Sequence, residues 1–389
     1  MVAPVHDVIV IGARCAGSPT AMLLARRGHR VLLVDRATFP SDTVSSHVIH
    51  PPGVDSLRRW GLLDRVAASG CPPVGRYSFD FGDVTLAGSP GTAYAPRRTV
   101  LDKVLLDAAA EAGAEVREGF TVDDVVLADD QPAEVRGRDA TGAVVRARAR
   151  VVVGADGRNS LVAKVAQAGQ YHVRSPMTCG YYSYWSDLPA DGLEVFGRPG
   201  RGWAACPTND GLTMVIGCWP YAELTEHRDD VEDELGRTFD RAPGFAERLR
   251  SATREHRIVG ATMPNYLRTP YGPGWALVGD AGYNRDFITA QGISDAFRDA
   301  ELCAGALDEA LSGKREFEEA MADYWAARDA QVLPMYELTA TVAALQAPDD
   351  RTVALVNGLQ GDQDGMDAFA RMSAGVTSPA DFFALPRRD

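Results

Sequence analysis

Residues 7–17 read Asp-Val-Ile-Val-Ile-Gly-Ala-Arg-Cys-Ala-Gly, and residues 30–35 read Arg-Val-Leu-Leu-Val-Asp. The first stretch is an unbroken apolar run ending on Gly12, which predicts a buried strand over 7–12. Small and apolar residues behind it predict a helix over 15–27, and the second stretch predicts another buried strand over 30–35. Together they make a βαβ unit with a right-handed crossover. Gly12-Ala13-Arg14-Cys15-Ala16-Gly17 occupies its first turn, where Gly-x-Gly-x-x-Gly marks a dinucleotide site. Gly12 serves the tight turn and Gly17 lets the helix pack closely on the strand. The amides of the helix start face a pyrophosphate that the helix dipole favours. Arg14 stands where the central glycine is usual: it narrows the backbone approach and adds a cation. Asp35 closes the second strand 23 positions after Gly12, where an acid accepts hydrogen bonds from a ribose 2′-hydroxyl.

Further along, 39–53 reads as a loop and the following stretch to about 68 as a helix started by Pro52 and Gly53. Residues 75–95 suggest strands outside the nucleotide-binding sheet, and Thr99 to Asp102 resembles a capping box opening a helix over 100–112. A strand at 114–117 precedes an antiparallel meander over 119–128, 133–138 and 143–149, and 150–154 returns to the parallel sheet. Aromatic runs broken by Gly, Pro and Asp over 176–219 predict a larger antiparallel sheet. Residues 227–250 read as helical, 275–280 as a buried strand, 290–311 and 316–345 as long helices, and the tail from 346 as two weak helical stretches. The fold class is α/β: a Rossmann-like dinucleotide-binding domain with an inserted antiparallel β-sheet substrate domain and C-terminal helices. The expected division is 1–75, 98–170 and 265–345 for the first domain, 76–97 and 171–264 for the second, and 346–389 for the tail.

Two more signals sit at strand ends. Ala155-Asp156-Gly157 follows an apolar strand, with Asn159 or Ser160 as the cap of a helix behind it. Gly279-Asp280-Ala281 ends Trp-Ala-Leu-Val-Gly-Asp, where Asp280 suits a polyol such as ribityl hydroxyls. In this order and spacing, the three motifs resemble the group A flavin monooxygenases, the flavoprotein hydroxylases of the p-hydroxybenzoate hydroxylase type, over about residues 5–345. They are also similar to geranylgeranyl reductases and flavin-dependent halogenases, although the Trp-x-Trp-x-Ile-Pro signature of the latter is absent.

The resemblance implies non-covalent FAD. It implies Gly12, Ala13, Arg14, Cys15, Ala16 and Gly17 at the diphosphate, Asp35 at the adenosine ribose, and Arg36 and Val122 near the adenine. Arg98 would stand by the flavin phosphate or ribityl chain, Asp156 and Gly157 near both FAD and the nicotinamide cofactor, and Gly279 and Asp280 at the ribityl chain. Gln291, Gly292 and Ile293 would open a helix whose amides face the flavin pyrimidine, where a reduced flavin carries negative charge. The chain departs from the family's third motif at Tyr283 for His, Phe287 for Pro, Ala290 for the first Gly of Gly-Gln-Gly, and Ser294 for Asn. Phe287 is expected beside the flavin's reactive face. Candidate pocket residues are His47, Tyr182, Trp185, Trp203, Trp219, Tyr283 and Phe287, with His50 in the same loop as His47.

The activity implied is an NAD(P)H- and O₂-dependent monooxygenase, hydroxylating or epoxidising an aromatic or polycyclic molecule through a flavin C4a-hydroperoxide. The alternatives are an FAD-dependent reductase or dehydrogenase working on a C–C bond, and a non-catalytic flavin-binding protein. With 40 Lys+Arg against 53 Asp+Glu, the net charge is −13, which repels nucleic acid. No stretch reaches about 18 consecutive apolar residues, which speaks against a spanning segment. Six cysteines show no metal-ligand spacing and read as free thiols packed as small hydrophobes, and no metal is expected. The N-terminal stretch shows no targeting signal, so the expectation is a cytoplasmic monomer or homodimer acting on an aromatic or lipophilic small molecule.

Overall fold

The structure is a computed structural model describing residues 5–127 and 132–385. The start of the N-terminal stretch, residue 128 of the strand expected over 119–128, and the last residues of the tail lie outside the described residues. The first sheet runs, from one edge, through Glu115–Arg117, Val31–Val34, Val5–Ile11, Val144–Gly154 and Trp275–Leu277, all parallel, to an antiparallel edge strand Tyr271–Gly272. Its central strands are apolar on both sides because both faces are covered. Val8, Val10, Val31 and Leu33 pack toward helices Gly17–Ala25, Arg98–Glu111 and Gly292–Leu311, while Ile9, Ile11, Leu32 and Val34 form a second cluster on the opposite face.

The meander expected as separate from the parallel strand is continuous with it. Val144–Gly154 is one strand of 11 residues. Its first half pairs antiparallel with Ala133–Arg138, and its second half pairs parallel with Val5–Ile11. No breaker separates the two halves, so nothing ends the strand at 149. The expected helix over 100–112 begins at Arg98, with Arg97 as its uncapped flank. Thr99 therefore lies inside the helix rather than capping it, because the Arg97 carbonyl already accepts from the Val100 and Leu101 amides.

The second large sheet orders Thr253–Arg254, Thr178–Ser186, Thr213–Pro220, Arg201–Pro207, Leu193–Arg198, Tyr77–Asp80 and Thr85–Gly88, with Val259–Thr262 also on Thr178–Ser186. It is antiparallel except where Leu193–Arg198 meets Tyr77–Asp80 in parallel. Helices Val231–Phe239 and Pro243–Arg250 cover one of its faces. Among the described residues the tail holds three helices, Asp350–Leu359, Gln363–Ser373 and Pro379–Ala384, instead of two weak ones. Gln363–Ser373 packs on the strand Thr85–Gly88, where a Cβ on Gly88 would stand 2.4 Å from the Met366 carbonyl oxygen, and Phe369 meets Phe79 edge to face; the other two pack against Gln363–Ser373. All six cysteines are buried and free.

Candidate functional site

Four parallel strands end level, with Val34 beside Ile11, Ile11 beside Gly154 and Gly154 beside Leu277. The three sequence motifs therefore emerge together at one sheet edge, the position where open α/β sheets bind ligands. Their glycines are explained by contact. A Cβ on Gly12 (φ +103°) would lie 2.3 Å from the Ala155 oxygen, and one on Gly17 would lie 1.7 Å from the Gly12 oxygen. Gly279 meets Ala16, whose Cβ would be 2.8 Å from an added methyl.

Asp35 accepts the amide protons of Ala13 and Ala37 at 2.7 and 2.8 Å, and its oxygens keep lone pairs for a hydroxyl. Arg36 is exposed. Phe120 donates to the Asp35 carbonyl, which brings Val122 beside it. Asp156 Oδ2 accepts from Leu161 at the start of the helix Leu161–Val165, capped by Ser160, while its Oδ1 is buried without a partner. Gly157 has open space around it. Asp280 is exposed, and its carboxylate accepts no hydrogen bond among the described residues.

Arg14 does not project freely at the glycine turn. It donates to Asp102 at 2.6 Å and to the Ser41 carbonyl and hydroxyl. Asp102, fully buried, also receives Arg98 through Nε and Nη2 and the Cys15 thiol. Asp102 thus ties the glycine loop to the helix Arg98–Glu111, and Arg14 ties that loop to the one after the second strand.

Segment 284–295 carries the third motif to the second sheet. Asp286 accepts from the Thr178 amide and hydroxyl. Phe287 lays its ring on Gly180, where a Cβ would stand 2.3 Å from its Cζ. Ala290 adopts φ +52°. It keeps the left-handed turn that a glycine adopts without strain. Ala290→Gly is expected to stabilise the fold by about 0.5–1 kcal/mol, read as a higher urea midpoint. Gln291 flanks the start of helix Gly292–Leu311 and donates to the Ser373 carbonyl at 2.9 Å. Gly292 is exposed and Ile293 buried. Asp295, in the first turn, is paired with Arg285 and Arg298. Burial alone raises its carboxyl, but these two guanidinium groups hold it below its usual value.

On strand Thr178–Ser186 side chains alternate between faces. Tyr182 and Tyr184 lie with Met214, Leu212, Ile216 and Val259 on the face that meets the His47 loop. Trp185, Trp203 and Trp219 lie on the other face, packed with Leu235, Phe239 and Phe245 under the covering helices. These three tryptophans therefore do not share the face of Tyr182 and Tyr184. Tyr182 and Trp185 are an odd number of residues apart, which puts them on opposite sides of any strand. Tyr283 is not on that face either. It is buried with Leu267, Val332 and Tyr336, and its hydroxyl accepts from Arg298 at 2.8 Å.

His47 (φ +61°) is fully buried, bonds the Tyr184 hydroxyl through Nε2 and leaves Nδ1 unpartnered. Burial, with the charges of Arg98 and Arg97, pushes it down from 6.5 to about 3. His50 accepts from Tyr77 at Nδ1 and donates to the Thr289 carbonyl through Nε2, at 2.7 and 3.1 Å. Burial pushes it down to about 4. Unfolded, both imidazoles take up a proton as pH falls through 6.5; folded, they stay neutral to about 4 and 3. The unfolded state binds more protons in that window, so stability falls as pH drops from 6.5 toward 4. The expected loss is about 2 kcal/mol per group at pH 5. In urea titrations at several pH values, His47→Gln should remove about half of that acid slope.

A family model described as the FAD binding domain matches residues 5–335. The chain belongs to this family, that of the group A flavoprotein monooxygenases. It is similar to the tryptophan 2-halogenase of Chondromyces crocatus, 24% identical over 96% of this chain and 76% of that protein. It is also similar to the 3-demethoxyubiquinol 3-hydroxylase of Escherichia coli K12, 26% identical over 82% of each. The myxobacterial chondrochloren halogenase CndH shares the fold, with a TM-score of 0.81 at 24% identity over 96% of this chain and 99% of that one. This flavoprotein is thus a flavin-dependent oxidoreductase. Sequence reasoning passed over Tyr184, Met214, Ile216, Arg97 and the Asp102 hub. Strand alternation counted from Tyr182 points to the first of these; the others are set by contacts across sheets and helices.

Proposed function

We propose that this flavoprotein is a monooxygenase, reduced by NAD(P)H, that hydroxylates or epoxidises a flat aromatic or polycyclic small molecule. The carrying observation is the face formed by Tyr182, Tyr184, Met214 and Ile216, joined to the motif edge through Phe287 on Gly180. The residues present fit FAD: the glycine turn leaves room only for backbone, Asp156 Oδ1 is unmatched, and Asp280 is unengaged. Gly12 to Gly17 would face the diphosphate, with Asp35, Arg36 and Val122 on the adenosine side. Arg98, Asp156, Gly157, Gly279 and Asp280 would hold the middle. Gln291, Gly292 and Ile293 would present a helix start to the flavin ring.

When bound and reduced, FAD supplies the electrons that activate O₂. The protein's part is placement. The helix start favours negative charge on the ring, the apolar face excludes water, and neutral His47 orients the Tyr184 hydroxyl beside the substrate. The missing Trp-x-Trp-x-Ile-Pro signature favours oxygen transfer over halide oxidation. The test is to purify the yellow protein, release its FAD with acid, and mix the holoenzyme with NADH or NADPH with and without aromatic compounds. Faster flavin reduction and O₂ uptake exceeding peroxide release, with an oxygenated product, are expected. Product formed without O₂ would replace this reading by a reductase.

A further inference from the structure

Beside the pocket face stands an arginine whose charge the protein does not neutralise closely. Arg97 precedes helix Arg98–Glu111, and its amide donates to Asn209 Oδ1 at 2.9 Å. Asn209 is itself tied to the Ser69 carbonyl and hydroxyl, so the acceptor that holds the Arg97 amide is fixed in turn. The guanidinium lies over the Tyr184 ring, 4.7 Å from its centroid. Its side chain is only 15% exposed, and Nε is buried without a partner. The acid paired with it, Asp210, lies 3.7 Å away, beyond hydrogen-bond distance, and is 71% exposed. Among the described residues the Arg97 side chain donates no hydrogen bond. Its neighbour Arg98 gives three to Asp102.

An arginine stays charged at every working pH and presents its donors in a planar fork that matches a carboxylate. Stacked on Tyr184, that fork is held in one orientation at the edge of the apolar face. The other groups nearby do not satisfy it. His47 is neutral, Arg98 is engaged by Asp102, and Asp42, whose charge reaches Tyr182 and Tyr184, is exposed on the loop.

We infer that Arg97 anchors a carboxylate carried by the aromatic substrate, so that the pocket takes aromatic acids in preference to neutral rings. This rests on the reading of the Tyr182–Tyr184 face as the substrate pocket. A charge-assisted, bidentate pair formed out of water selects strongly against an isosteric amide, which would leave the fork unmatched.

The test uses holoenzyme and matched pairs: 2-naphthoate and 2-naphthamide, indole-3-acetate and indole-3-acetamide, anthranilate and anthranilamide. Binding is read by perturbation of the flavin absorbance and, independently, by the shift in melting temperature. In the parent protein at least one acid should bind roughly 10–100-fold tighter than its amide. Arg97→Met should abolish that preference by weakening the acid alone, and Arg97→Lys should keep part of it, with FAD content unchanged in both. No acid preference in the parent, or the same preference in Arg97→Met, overturns the inference. The parent's acid-to-amide ratio decides even if the Met variant fails to fold. A protein that carries no FAD would instead overturn the functional reading, while the melting-temperature comparison would still report on Arg97.

Discussion

Asp102→Asn is expected to destabilise the protein by about 3–5 kcal/mol, because removing one partner of a buried ion pair leaves the other charge uncompensated. Here two guanidinium groups depend on the same carboxylate, Arg14 at 2.6 Å and Arg98 at 2.9 to 3.1 Å, and Asp102 itself has no exposed surface. Asparagine keeps the shape and one acceptor but not the charge. The loss should appear in urea unfolding, together with poor FAD retention, since the glycine loop and the helix bearing Arg98 are held by this one group. A change below about 1 kcal/mol, the range of an ordinary surface pair, would show that the hub does not bear the load assigned to it.

Asp280→Ala is expected to do the reverse. Its carboxylate accepts no hydrogen bond among the described residues, and burial raises its carboxyl, so the apoprotein should unfold at no lower a urea concentration than the parent. FAD binding should weaken roughly 10–100-fold, the worth of hydrogen bonds to a charged acceptor. Fluorescence titration of apoprotein with FAD measures it. Equal affinity in the two proteins would remove Asp280 from the cofactor site.

The contrast between these two aspartates shows what a sequence discloses. Asp280 was legible because it ends an apolar strand, and strand ends are where α/β sheets offer residues to ligands. Asp102 looked like part of a helix start; its role comes from Arg14, 88 positions away, and no local pattern reports that. The parallel strands were legible for the same reason as Asp280, since a doubly covered strand reads as an apolar run. The aromatic wall was half legible. Aromatic residues announced a sheet, but grouping Tyr182 with Trp185, Trp203 and Trp219 ignored the two-residue period that sends them to opposite faces. The tail was least legible, because its helices depend on tertiary packing, Gln363–Ser373 on the strand Thr85–Gly88 and the others on Gln363–Ser373, rather than on their own periodicity.

That tail has a consequence in time. Gln291 is held by the carbonyl of Ser373, 82 residues further on, and Gly375 packs against the same side chain. A ribosome must therefore add those residues before the helix start proposed to meet the flavin ring acquires its last support. The glycine turn and Asp35 are made near the beginning of synthesis. The helix start that would meet the flavin ring therefore gains this support only once the final helices have folded down.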